Sequence, residues 1–235
     1  MDQLLVALDV NTAADAFALA DTLRGVAGGF KIGSRLFTAE GPSVVTRLVD
    51  RGDRVFLDLK FHDIPSTVAG AVEAATGFGV WMLNVHASGG LDMMRAAKAA
   101  AVDTAAKRGL ASPLVIAVTV LTSLDQRVLD RLAIGEAVDA HVDRLARLTS
   151  EAGLDGVVAS PREVVRMRRW ADPRFLIVTP GIRVGERTDD QVRTASATEA
   201  LADGASYLVV GRPIIKAADP RAAAEKIAME AGIGG

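Results

Sequence analysis

The sequence predicts an α/β fold, a closed (β/α)₈ barrel of the TIM type, as a single domain over residues 1–235. Short apolar, β-branched runs recur eight times, helical patterns lie between them, and no long linker interrupts the alternation. Most of the runs are continuously hydrophobic rather than alternating, which is typical of parallel strands that are buried on both faces. A chain of 235 residues also has an ordinary length for one such barrel.

The predicted strands follow one another from the first residues to the last fifth of the chain. They are residues 4–8, 29–32, 54–59, 80–85, 114–120, 156–159, 175–178 and 207–210. A doubly wound open sheet is the alternative fold. That fold needs fewer strands and usually has a glycine-rich turn after the first one, whereas residues 9–12 contain no glycine.

Helical patterns fill the intervals between the predicted strands. Several helices begin at a proline, which suits a first turn because its missing N–H would be unpaired there in any case. The first helix can be capped by Asn11 or Thr12. The others begin at Pro42 and Pro65 or cover residues 91–107, 136–152, 161–170, 198–203 and 220–231.

The composition excludes several classes of function. Lys and Arg number 27 against 29 Asp and Glu, so no basic excess is available to bind a nucleic-acid backbone. The chain has no cysteine, which excludes disulfides, thiolate metal sites and a cysteine nucleophile. It shows no targeting segment, and its apolar run at 114–121 is too short to span a bilayer. We expect a cytoplasmic protein that binds neither nucleic acid nor membranes.

Charged side chains gather at the carboxyl ends of the first three predicted strands, the end where these barrels carry their chemistry. Asp9 follows the first strand, Lys31 lies in the second, and Asp58 and Lys60 end the third. Asp58 and Lys60 are two residues apart, so a regular strand points both to one face. Four buried charges are costly even when paired, which favours a functional site over a structural ion-pair network. Asp63, taken alone, would cap the next helix.

A second group of residues predicts a phosphate site. Gly211 and Arg212 follow the last predicted strand, where such barrels commonly bind phosphate, and Arg183 follows the strand before it. A glycine lets backbone N–H groups approach an anion, and an arginine can hold it with two hydrogen bonds. The alternative is that both arginines are solvated loop residues. The polar stretch from 183 to 191 could form a lid.

The segment at 58–68, DLKFHDIPSTV, closely resembles the signature of the orotidine 5′-phosphate decarboxylase family. Further matching blocks follow in the family order, at residues 7–9, 30–33, 85–90, 120–123, 179–183 and 210–214. The resemblance implies a homodimeric barrel enzyme that forms UMP in the final step of pyrimidine nucleotide biosynthesis. It implies neither a cofactor nor a metal ion.

The resemblance also implies roles for individual residues. Lys60 would protonate the ring carbon, Asp58 would face the substrate carboxylate, and Lys31 would link the ribose to the charged residues. Asp63 would complete the neighbouring subunit's site. The substrate-binding residues that it implies are Asp9, Lys31, Ile64, Thr67, Thr122, Pro180, Arg183, Gln191, Gly211 and Arg212.

Three other functions stay open. A sugar-phosphate decarboxylase of the same superfamily shares the Asp-x-Lys-x-x-Asp pattern but uses Mg²⁺, with an acidic ligand at the end of strand two. Lys31 stands at that place here and would repel the metal. The second is an isomerase in which Asp58 is a general base. The third is a barrel that binds a nucleotide without catalysis, against which the complete set of charges argues.

Overall fold

A closed barrel of eight parallel strands lies at the centre of the protein, in a computed structural model that describes residues 2–183 and 195–233. The strands in chain order are β1 (Leu4–Ala7), β2 (Gly29–Gly33), β3 (Val55–Phe61), β4 (Met82–His86), β5 (Leu114–Val118), β6 (Gly156–Val158), β7 (Leu176–Thr179), β8 (Ile182–Arg183), β9 (Ala195–Ser196) and β10 (Tyr207–Val210). The barrel order is β1–β2–β3–β4–β5–β6–β7–β10, and β8 and β9 pair separately. The predicted fold class is confirmed.

Helices follow the barrel strands along the chain. They are α1 (Ala13–Leu23), α2 (Ser34–Glu40), α3 (Ser43–Asp50), α4 (Pro65–Gly77), α5 (Gly90–Arg108), α6 (Gln126–Arg131), α7 (Val138–Glu151), α8 (Val164–Arg168), α9 (Ala197–Ala202), α10 (Arg212–Ile215) and α11 (Pro220–Glu230). The Thr12 side chain caps α1 by accepting from the N–H of Asp15. The predicted helix at 161–170 is instead a 3₁₀ turn, Pro161–Glu163, followed by the short α8.

Three short helices, α2, α6 and α10, were not predicted. Each buries a single residue, respectively Leu36, Leu129 and Ile214. One buried residue leaves no 3.6-residue period in the sequence, and this period is the signal by which an amphipathic helix is recognised. The longer helices bury several residues each and were therefore predicted.

Two apolar layers hold the barrel together. Alternate residues of a strand point to opposite faces, so Leu5 and Ala7 lie in a cluster inside the barrel while Leu4 and Val6 pack in the larger cluster that includes helix residues. All four residues are buried, which explains why the strand sequences are continuously apolar. The inner cluster also contains Phe56 and Val209, and it closes the barrel beneath the cavity described below.

Within residues 2–183 and 195–233, no helix is both long and apolar enough to cross a membrane. The single domain over residues 1–235 stays a prediction.

Candidate active site

A cavity of about 260 Å³ opens at the carboxyl ends of the barrel strands. Its apolar part comes from the barrel interior, with Ala7, Phe56 and Val209 shared between the inner cluster and the lining. Its charged wall comes from β1 to β3. We call this wall the charged network, and its members are Asp9, Lys31, Asp58 and Lys60. The cavity therefore presents an apolar surface and fixed charges to the same ligand.

The charged network is continuous and alternates in sign. Lys31 Nζ lies 3.1 Å from Asp9 Oδ1 and 3.3 Å from Asp58 Oδ2. The other oxygen of Asp58, Oδ1, lies 2.5 Å from Lys60 Nζ. The side chains of Lys31 and Asp58 are only 11% and 13% exposed, whereas those of Lys60 and Asp9 are more open. The structure thus brings together the charges that the sequence placed on adjacent strand ends.

Electrostatics keeps the buried members of the network ionised. Burial acts to lower the pKa of Lys31, but the nearby carboxylates of Asp58 and Asp9 outweigh it and the pKa is raised. Burial acts to raise the pKa of Asp58, but Lys31, Lys60 and a hydrogen bond from Asn84 outweigh it and the pKa is lowered. Both groups therefore carry their charges at neutral pH.

Lys60 reaches Asp58 through an irregular strand end. Its φ is +56°, in the left-handed region, and the register between β3 and β4 shifts between Leu57 and Phe61. Such a conformation costs a residue other than glycine of order 1–3 kcal/mol. The two side chains meet as predicted, but the reason predicted for it, regular alternation along the strand, is wrong at Lys60.

Asn84 is a residue of this site that sequence reasoning did not assign. It lies on β4 with no exposed surface, and its Nδ2 donates to Asp58 Oδ1 at 2.7 Å. Its Oδ1 accepts from the backbone N–H of Lys60 at 2.8 Å. The signal was a single amide inside an apolar strand next to the strand that carries Asp58 and Lys60.

The segment after β3 lies at the surface. Asp63, Ile64 and Thr67 are exposed, and Ile64 is 64% exposed. Asp63 Oδ1 accepts from the N–H of Ile64 at 2.6 Å, and the N-cap of α4 is Ile64, with no side-chain cap. The alternative role of Asp63 as a helix cap is therefore wrong. Among the contacts of the described residues, none joins Asp63 to Lys60 of the same chain.

The remaining predicted residues follow later barrel strands, and one of them lies outside the described residues. Thr122 after β5, Pro180 after β7, and Gly211 and Arg212 after β10 all line the cavity. The backbone of Arg183 pairs with Ser196 in the β8–β9 ladder. Gln191 and most of the predicted lid lie outside the described residues.

A histidine pair lies beside the charged network. The rings of His62 and His86 are 5.4 Å apart, with an angle of 34° between their planes. Burial, His62 and Lys60 together lower the pKa of His86. His86 is therefore neutral at neutral pH and adds no positive charge next to Lys60.

Comparison with known proteins gives consistent matches over nearly the whole chain. The profile of the Orotidine 5'-phosphate decarboxylase / HUMPS family matches residues 2–227. The Orotidine 5'-phosphate decarboxylase of Moorella thermoacetica is 53% identical over 231 residues, which are 97% of this chain and 92% of that protein. The enzyme of the same name from Dichelobacter nodosus is 51% identical over 225 residues, 95% of this chain and 96% of that protein.

Solved structures agree in fold. A crystal structure of Orotidine 5'-phosphate decarboxylase from Lactobacillus acidophilus has a TM-score of 0.87 and 35% identity, covering 97% of this chain and 98% of that one. The corresponding structure from Pyrococcus horikoshii OT3 has a TM-score of 0.78 and 26% identity, with coverage of 97% and 99%. Because sequence and structure match from the first barrel strand to the last, this chain belongs to the orotidine 5′-phosphate decarboxylase family.

Proposed function

We infer that this protein is a carboxy-lyase that converts orotidine 5′-phosphate to UMP and CO₂, the final step of pyrimidine nucleotide biosynthesis. Family membership supports the reaction. The structural observation that carries it is the charged network, which holds the Lys60 ammonium against Asp58 at the wall of a cavity that also has an apolar part.

The reaction needs a fixed positive charge. When the bond between the ring and the carboxylate breaks, CO₂ leaves and the electron pair stays on the ring carbon, in the ring plane and without conjugation. Many decarboxylases delocalise such a pair into a cofactor. Here the ammonium of Lys60, oriented in advance, stabilises the developing charge without reorganisation. Its proton then moves to the ring carbon, and the lysine regains a proton from water.

The other members of the charged network position this ammonium. Asp58 directs one oxygen to each lysine, so both cations stay on the side of the cavity where the negative charge develops. Asp9 and Lys31 contact the ribose, and Asp58 faces the substrate carboxylate. Repulsion between the two carboxylates would favour loss of CO₂, but it is a secondary contribution to the rate.

Binding of the rest of the nucleotide supplies energy for the chemical step. Thr122 and Pro180 contact the pyrimidine, while Arg183, Gln191, Gly211 and Arg212 hold the phosphate. Support for these contacts comes from the cavity lining, which includes Thr122, Pro180, Gly211 and Arg212. Phosphate binding would draw the lid over the ring and exclude water.

The Mg²⁺-dependent alternative is not favoured. Lys31 Nζ lies between the carboxylates of Asp9 and Asp58, at 3.1 Å and 3.3 Å. An ammonium in this place neutralises the two carboxylates and repels a divalent cation that would use them as ligands.

The active enzyme is a homodimer with shared active sites. Asp63, Ile64 and Thr67 are exposed and do not line this chain's own cavity, and a second subunit would bury Ile64, which is 64% exposed. In the dimer, Asp63 of one subunit approaches Lys60 of the other, and Ile64 and Thr67 contact the neighbour's substrate. The cytoplasmic location stays a prediction.

An ultraviolet assay tests the function directly. Purified protein treated with EDTA is mixed with orotidine 5′-phosphate, and the loss of the substrate's absorbance is followed. We expect UMP to form at the same rate with and without EDTA. No conversion, or conversion that requires added Mg²⁺, would contradict the proposed function.

A further inference from the structure

Asn84 occupies a place where an amide side chain needs both of its polar groups satisfied. It has no exposed surface, and its neighbours along β4 are apolar on both sides, Leu83 and Val85. A buried polar group without partners is costly, so the residue's two hydrogen bonds are the reason it can be there. Both of those bonds end on the charged network.

The first hydrogen bond, from the N–H of Lys60 to Asn84 Oδ1, takes the place of a backbone hydrogen bond between β3 and β4. The register between β3 and β4 shifts between Leu57 and Phe61, so the backbone N–H of Lys60 is not part of a regular ladder. Asn84 Oδ1 accepts from this N–H at 2.8 Å. The amide thereby holds Lys60 in its left-handed conformation, with φ of +56°.

The second bond sets the orientation of Asp58. Asn84 Nδ2 donates to Oδ1 of Asp58 at 2.7 Å, and the same oxygen accepts from Lys60 Nζ at 2.5 Å. The other oxygen is left to face Lys31 at 3.3 Å. The amide therefore fixes which carboxylate oxygen serves which lysine.

We propose that Asn84 is a positioning residue for the decarboxylation, holding the backbone of Lys60 and the carboxylate of Asp58 so that the ammonium is correctly placed. This inference rests on the proposed function and adds to it a residue outside the substrate's reach. Asn84 does not line the cavity, so it acts only through the two residues that do.

Two variants of similar size test the proposal. Asn84→Leu removes both hydrogen bonds, and Asn84→Asp keeps an acceptor for Lys60 while placing a second carboxylate against Asp58. The control is Thr149→Val, which removes the buried hydroxyl that donates to Leu145 O at 2.8 Å on α7. We expect both Asn84 variants to lose about 10- to 100-fold in kcat, as for the loss of one hydrogen bond to a charged carboxylate with or without a second bond to a backbone N–H. UMP affinity should change by less than about threefold, since it depends mainly on other contacts.

The pH profile of kcat gives a readout that a purely structural role would not move. In the wild type, Asp58 faces Lys31 from β2, Lys60 from its own strand, and Asn84 and His86 from β4. In Asn84→Asp a second carboxylate replaces the amide that donates to Asp58 at 2.7 Å, and repulsion between the two carboxylates raises the pKa of the pair. As pH falls, kcat of Asn84→Asp should therefore decrease at a higher pH than kcat of the wild type. At alkaline pH, where both carboxylates are ionised, kcat of the variant should recover.

The outcomes separate the two proposals. Positioning by Asn84 is supported if both variants lose kcat but still bind UMP, and if kcat of Asn84→Asp decreases at a higher pH than kcat of the wild type. A kcat within about twofold of the wild type at every pH, or a loss equal to the unfolded fraction measured by circular dichroism, overturns it. If Asn84→Leu does not fold, Asn84→Asp decides alone. If the wild type and Thr149→Val form no UMP, the proposed function fails.

Discussion

At the scale of single residues, the site depends on a few charges that would be expensive without each other. Lys31 and Asp58 are mostly buried, and each has its pKa moved toward the charged state by its partners despite burial. Removing one partner leaves an unpaired buried charge, which is far more costly than the pair itself. Lys60, by contrast, is 34% exposed on its side chain, which suits its proposed contact with a substrate.

Arg212 carries a prediction at this scale. Arg212→Ala should lower kcat/KM for orotidine 5′-phosphate by about 100-fold, as expected for losing charged hydrogen bonds to a phosphate. The phosphate-free nucleoside should lose much less. Steady-state kinetics with both substrates measures the difference, and Arg174→Ala, an arginine 92% exposed, is the control. Equal losses for the two substrates would mean that Arg212 supports the fold instead of holding phosphate.

At the scale of elements, the helices differ in how strongly they are tied to the barrel. Arg168 at the end of α8 donates to the carbonyls of Gly204 and Phe175, each at 2.8 Å, and to Ser206 Oγ at 2.9 Å. These acceptors precede β7 and β10, so one side chain joins a helix to the start of two strands. Arg168 has neutral acceptors here, and burial lowers its pKa.

These hydrogen bonds of Arg168 predict that its substitution lowers the stability of the fold without lowering the catalytic rate. Arg168→Met should lower the free energy of unfolding by about 2–3 kcal/mol, because it removes three hydrogen bonds and leaves their acceptors partly buried without this donor. Urea denaturation at fixed protein concentration measures the change, with the exposed neighbour variant Arg169→Met as control. Values of kcat per folded site should stay at the wild-type level. If the two variants were equally stable, the proposed tie would be wrong.

The elements also show what sequence can and cannot predict. The carboxyl ends of parallel strands meet at one rim, so the positions of Asp9, Lys31 and Asp58 along the chain were enough to bring them together. The left-handed backbone of Lys60 had no such signal in the sequence, because a positive φ is usually predicted from a glycine. Asn84 acts through that irregularity, and its role became visible only with the register shift between β3 and β4.

At the scale of the whole molecule, the predicted phosphate residues adjoin the charged network on one rim, because β10 pairs with β1 in the closed barrel. The charged network comes from β1 to β3, and the predicted phosphate residues follow β7 and β10. In a single chain, the surface around Asp63, Ile64 and Thr67 is exposed. A sequence pattern cannot show which surface a second copy would cover, so the proposed shared site rests mainly on the family resemblance.

Mixing two inactive variants tests the shared site. Lys60→Ala and Asp63→Ala are each purified, then dissociated together and reassociated in equal amounts. Half of the dimers formed at random are mixed, and each mixed dimer has one site lacking both groups and one intact site, so activity should return to about a quarter of the wild type. Each variant reassociated alone is the control. No recovery, with mixed dimers confirmed by mass spectrometry, would show that each site is built from one chain.

We propose that the Lys60 ammonium stabilises the carbanion and supplies its proton, and Lys60→Ala tests this role most directly. We expect turnover of orotidine 5′-phosphate to fall by at least about 10⁴-fold, since both charge stabilisation and proton transfer are lost. UMP should still bind measurably by isothermal titration, because the phosphate residues are untouched. The control is Lys98→Ala, a lysine paired with Asp155 away from the cavity. Near-normal turnover by Lys60→Ala would contradict this role of Lys60.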